Sequence, residues 1–244
     1  MKYGPYEIDT YGGPRQESAR ACAVRFARMA TALSAIHSAF ARWNQQGDTA
    51  REAGIPFCAM PPDIGELTKT IEIGRHVADI SREVMAHLGY ALSAWNAIRG
   101  PAGVWFRMNV GAYSASLRFP NQVHFMFRRA EDANHDLLSP KIMKAVLLTL
   151  VDAWEPDWAI LTDENYAHAL FERGPLPLFR AGWMTYLAAP YARKFRAPPQ
   201  AIVEPVASGG ILISATKDRF TIDDPDHVIA ADAIQDALAQ LQVS

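Results

Sequence analysis

The chain has 244 residues, half of them apolar and a fifth charged, with a formal net charge of −2. A chain of this length buries roughly 70–75% of its unfolded surface and needs no disulfide or metal staple to fold. Interspersed charges exclude the basic stripe of a nucleic-acid binder, and two distant cysteines, Cys22 and Cys58, exclude a disulfide framework or zinc knuckle.

The opening MKYGPYEIDT lacks the charged-then-apolar plan of a signal peptide. Apolar runs such as AVLLTLV (145–151) fall well short of the roughly 18 residues of a membrane span. A cytoplasmic protein with no membrane partner is therefore expected.

Residues 3–11 read as a short extended strand. Cys22, Phe26, Met29, Leu33, Ile36, Phe40 and Trp43 then recur at alternating spacings of four and three, which predicts one long helix over 17–46. Its apolar stripe is read as lying on the core, with a homodimer seam as the other possibility, and Gly47 is placed to cap its end. Residues 48–65 hold three prolines and two glycines and read as loop, and helical character returns over 66–87.

From Tyr90 the period becomes two. YALSAWN, VWFRMNVGAY and QVHFMF predict three neighbouring antiparallel strands. Ser139 as N-cap and Pro140 at the first helical position start a helix that Pro156 stops. WAILT (158–162) reads as a strand and ENYAHALF as a short helix capped by Asp163 or Thr162. GWMTYL, AIVEPV and GILISAT are three more strands, and a closing helix runs from Asp224 and Pro225 to about 241. Strands in series with helices before and after make an α+β arrangement. The expectation is a single domain, 1–244, whose mostly antiparallel sheet packs with the long N-terminal helix and further helices.

Tests for chemistry mostly fail. G-x-G-x-x-G, Walker A, H-E-x-x-H and G-x-S-x-G are absent. The tetrad SATK (Ser214 to Lys217) matches S-x-x-K, but it ends a strand, where positions i and i+3 point to opposite faces. Glu164 and His168 at i, i+4 read as a solvent-facing ion pair, since two ligands do not complete a metal site. His37, His76 and His124 have no partner at ligand spacing. Glu155, Asp157, Asp163 and Glu164 cluster in WEPDWAILTDEN, yet none of the six lysines has an acidic residue two places before it, as a restriction-type nuclease would need. Those carboxylates cap helices or form a displayed acidic patch. No catalytic residue, metal or cofactor is expected.

Trp95, Trp154, Trp158, Trp183, Tyr113 and Tyr186 lie on or beside predicted strands, as core, pocket lining or interface anchors. Strand alternation predicts Trp183 buried and Tyr186, with Met184, on the opposite face.

The order of motifs resembles the bacterial immunity protein 52 family. It runs through AFARW (39–43), LSAWN (92–96), VGAY (110–113), AWEPDWAILT (153–162), GWMTYL (182–187), VEPVASGGILI (203–213) and DRFTIDDPDHVIAA (218–231). The resemblance implies an antitoxin that binds a cognate toxin domain of a polymorphic or type VI secreted effector, commonly of a restriction-endonuclease-like class. A toxin with a basic groove would meet acidic and aromatic groups, and Asp157, Asp163, Glu164, Tyr166 and Tyr186 are the expected partner-binding residues. The alternative is a small-molecule-binding protein or enzyme with a pocket near Trp183 and Tyr186.

Overall fold

The computed structural model describes residues 5–46, 52–114, 120–128, 136–174 and 177–242. In chain order the elements are β1 (Tyr6–Gly12), α1 (Ala19–Ile36), β2 (Trp43–Gln45), β3 (Pro56–Cys58), α2 (Ile64–Ile73), β4 (Tyr90–Trp95), β5 (Val104–Val110) and β6 (Asn121–Phe127). There follow α3 (Pro140–Trp154), β7 (Trp158–Asp163), α4 (Glu164–Glu172), β8 (Met184–Leu187), α5 (Ala189–Ala192), β9 (Ile202–Pro205), β10 (Ile211–Ser214) and α6 (Pro225–Ala239). The ten strands form one sheet in the order β3-β2-β4-β5-β6-β1-β7-β8-β10-β9, with antiparallel neighbours throughout. The architecture is α+β, as expected.

The N-terminal helix is shorter than its apolar spacing predicts. Ser18 caps α1 by accepting from the Ala21 N–H, and Cys22, Phe26, Met29 and Leu33 are fully buried along one stripe. That stripe is core, so it is not free to serve as a dimer seam. At His37 the backbone turns extended (φ −156°, ψ 142°), and its Nδ1 accepts from the Ala39 N–H to open a separate turn over Ser38–Phe40. Phe40 and Trp43 therefore reach the same core from a turn and from β2. Trp43 meets the rings of Phe106 at 5.0 Å and Phe125 at 5.8 Å. The 4-3 spacing reports burial on one side and cannot register that the helix has ended. Gly47 lies outside the described residues.

Two further expectations change. The loop predicted over 48–65 contains β3, which pairs with β2. The helix predicted over 66–87 is α2 alone, because Gly74 passes so close to β4 that a Cβ there would stand 2.3 Å from the Ala91 carbonyl oxygen. The chain beyond it runs irregularly, touching Tyr90 through Arg75 in an isolated bridge. By contrast α3 starts and stops where predicted. Pro140 occupies its first turn, and Glu155 ends it in a left-handed conformation (φ 47°) ahead of Pro156. Ser139 holds the cap position, but its side chain makes no cap hydrogen bond.

The register assigns the two faces of the sheet. Leu92, Ala94, Phe106, Met108, Val123, Phe125, Ile8 and Tyr6 share the face on which α1 packs, and all are buried. α3 joins this layer through its contact with α1, where the Trp154 Nε1–H approaches Met29 Sδ at 3.2 Å. The other face carries Trp95, Trp105, Arg107, Asn109, Gln122, His124, Glu7, Asp9 and Tyr11 at alternate positions. Most of these are half-buried, and among the described residues no α-helix packs on this face over β4, β5, β6 and β1. Over β7 the same face is closed by Phe179, whose ring packs on Trp158 at 5.9 Å and on Tyr191 at 4.9 Å.

Candidate functional site

The open face of the sheet, centred on β1 and β6, gathers a set of mutually bonded polar side chains. A strand sends residues i, i+2 and i+4 to one side, so Glu7, Asp9 and Tyr11 all point outward while Tyr6 and Ile8 fill the core. Asp9 lies directly across from His124 in the β1–β6 ladder, and the His124 Nδ1–H donates to Asp9 Oδ1 at 2.9 Å. Gln122, two residues away on β6, donates through Nε2 to the same oxygen at 2.7 Å and to the Tyr11 hydroxyl at 3.2 Å. Arg180 donates to that hydroxyl as well and lies over the stacked rings of Tyr11 and Trp158, whose centroids are 4.3 Å apart. On the far side Trp105 leans on His124, and His76 bonds Asn109 at 2.8 Å.

The electrostatics follow from putting two carboxylates on a partly desolvated surface. Burial, reinforced by repulsion from Asp9, raises the Glu7 pKa above its usual 4.5, although His124 and Arg180 oppose the shift. For His124, burial disfavours the charged ring, but the hydrogen bond and charge of Asp9, helped by Glu7, outweigh it and the pKa is raised. Burial and the nearby carboxylates hold the Tyr11 hydroxyl protonated. The two carboxylates therefore favour protonation of His124 and stand beside the positive charge of Arg180.

The five residues expected from sequence divide into two groups. Asp157 sits at one end of β1, accepting from the Gly13 N–H at 2.8 Å. It borders a cavity of about 530 Å³ with Tyr11, Trp158, Leu178, Arg180 and Tyr191. Glu164 is exposed at the other end, its N–H on the Pro5 carbonyl and its charge felt by Glu7. These two bracket the open face. Asp163, Tyr166 and Tyr186 are buried and have internal partners. Asp163 caps α4 through the N–H groups of Asn165 and Tyr166, and Tyr166 donates to Asp232 on α6. Tyr186 pairs its hydroxyl with Ser208, and its ring lies where a Cβ on Gly210 would come within 2.7 Å.

Trp183 is fully buried, as expected, but strict alternation does not govern it. It stands in a bend just before β8, and its ring meets Tyr6 at 5.6 Å. Tyr6 shares a sheet face with Ile8, Leu161, Met184 and Tyr186 by register, so Trp183 and Tyr186 are not divided between opposite faces. Core packing thus occupies the surroundings of both aromatics. Other sequence expectations resolve simply. His168 pairs with Glu172 at 3.6 Å rather than with Glu164, and Ser214 is buried while Lys217 is exposed. No helix among the described residues is long and apolar enough to cross a membrane.

Comparison with known proteins places this geometry in a family. The family model described as Immunity protein 52 matches residues 5–243, nearly the whole chain, and the chain belongs to that family. Among solved structures, the Pseudomonas aeruginosa T6SS protein PA0821 is similar in fold with a TM-score of 0.54 and 10% identity, covering 95% of this chain and 74% of that one. No curated protein matches the chain.

Proposed function

From membership of the immunity protein 52 family, we propose that the chain binds the toxin domain of a cognate secreted effector and neutralises it by covering a surface the toxin needs. The reading assigns no reaction to the protein itself. The observation that carries it is the family match over residues 5–243. The fold neighbour is a T6SS protein, which favours a type VI effector as the toxin's source.

The open sheet face is the proposed contact surface. It is broad, has no α-helix packed on it among the described residues, and carries aromatic groups beside charged ones, which is the composition of interface anchors. Glu7 and Asp9 with Asp157 and Glu164 at either end give it an acidic line along β1, bordered by Arg107 and Arg180. A restriction-endonuclease-like toxin is basic around its substrate groove, and this line is suited to meet it. The test is co-expression with the toxic C-terminal domain of the secreted protein encoded in the neighbouring reading frame. Restored growth and a stable complex on gel filtration are expected. Unchanged toxicity with no complex would sink the proposal.

A further inference from the structure

Glu7, Asp9 and His124 bring three donor groups to one point on the outer side of the sheet. Each offers one ligating atom, and the three atoms lie within 4.8 Å of one another. Backbone register does this without a loop: Asp9 and His124 are cross-strand partners, and Glu7 is the next outward position on β1. We propose that these three side chains form a binding site for a divalent transition metal of the zinc class.

The donor set fits that chemistry. One imidazole nitrogen and two carboxylate oxygens are ligands for zinc and its neighbours, at about 2.0–2.2 Å from the ion. Two carboxylates and a neutral imidazole balance a divalent cation to zero net charge. Without one, a protonated His124 leaves the trio at −1. Asp9 already accepts from Gln122, the kind of outer partner that holds a ligating carboxylate in place. The Glu7 carboxylate makes no hydrogen bond among the described residues, so it is free to turn onto an ion. The site has three protein ligands and opens to solvent, the pattern of sites that leave a coordination position for another molecule. Arg107 and Arg180 are the nearby positive charges; they act on His124 and Glu7 through space and make no hydrogen bond to either carboxylate among the described residues. On ligating a metal, His124 would exchange its Nδ1–H bond to Asp9 for a bond to the ion, releasing a proton.

Untagged protein is titrated with zinc by calorimetry, and with cobalt(II) while its visible absorption is followed. One saturable equivalent and a d–d band of low-symmetry coordination are expected, together with a zinc-dependent rise in Tm. Glu7→Gln and His124→Ala should each weaken the binding by about tenfold or more and remove the cobalt band. Circular dichroism confirms that each variant is folded. Absence of saturable binding below millimolar zinc would overturn the site and leave the trio as an ion pair. Binding that survives both substitutions unchanged would also overturn it, placing the metal elsewhere. Toxin neutralisation itself is read separately by co-expression; a bound ion would cancel the charge of Glu7 and Asp9 and leave Asp157 and Glu164 to carry the acidic line.

Discussion

Replacing Trp183 tests how the entry to β8 is held. The indole is fully buried and packs against Tyr6 with its plane inclined by 52°. Truncating a core Trp to alanine costs about 3–5 kcal/mol, from lost transfer energy and the cavity left behind. Trp183 has a second property that sharpens the test. Its Nε1–H is buried with no hydrogen-bond partner among the described residues. Burying such a donor costs about 1–3 kcal/mol. Trp183→Phe discards that donor along with part of the ring, so the two effects offset and the variant should lie within about 1.5 kcal/mol of wild type. At about 2–4 °C per kcal/mol for a chain of this size, Trp183→Ala lowers Tm by about 6–20 °C. Urea titration of both variants, with the slopes compared, gives the two differences. An alanine cost below about 1 kcal/mol would refute the core placement. Equal costs for alanine and phenylalanine would refute the argument about the unpaired N–H.

Glu155 supplies a pH dependence. A hydrogen bond and the charge of Arg25, with Arg15 and Arg28 adding theirs, outweigh burial and lower its pKa below 4.5. A lowered folded value means stability that is present above 4.5 and lost as pH falls through the folded value, so Tm should drop less steeply on acidification in Glu155→Gln than in wild type; parallel acid melts would contradict this. Asp163 and Glu164, adjacent in sequence, should separate by role. Asp163→Ala removes a buried cap and costs about 1 kcal/mol or more in a denaturant titration. Glu164→Lys, at an exposed position, should leave Tm within a few degrees yet slow association with the cognate toxin and flatten its salt dependence, because long-range steering is screened by ions. An unchanged stopped-flow rate for Glu164→Lys would remove electrostatic steering from that position.

Much of the fold is written in local pattern. Alternation over β4, β5 and β6 and the proline-marked start of α3 are short-range signals, and the structure follows them. The end of α1 is not local in the same way. Phe40 and Trp43 keep the helical spacing because the same core lies beneath them, while His37 redirects the backbone through its own side chain. The end of α2 depends on how near β4 comes to Gly74, which a sequence does not display. The open face was the least legible part. Asp9 and His124 are 115 residues apart, so no spacing rule connects them. One signal was available: Glu7 and Asp9 alternate with Tyr6 and Ile8, marking a strand with one polar side. The acidic run 155–164 is visible as a local cluster and holds Asp157 and Glu164, which flank the open face, but none of the groups between them.

The place of β1 in the sheet has a consequence for how the chain is made. β1 is synthesised before either of its neighbours and lies between β6 and β7, paired to Asn121–Phe127 on one edge and Trp158–Asp163 on the other. At about 5–20 residues per second, β1 waits roughly 8–30 s on the ribosome before its second neighbour exists. Both of its hydrogen-bonding edges are unpaired until β6 is made, and one of them stays unpaired until β7 follows. Long-range closure of this kind is slow and leaves nascent chains open to association with one another. The N-terminal arm thus acts as the final seam, and a fusion placed directly before Tyr6 would burden the closing step more than one attached after α6.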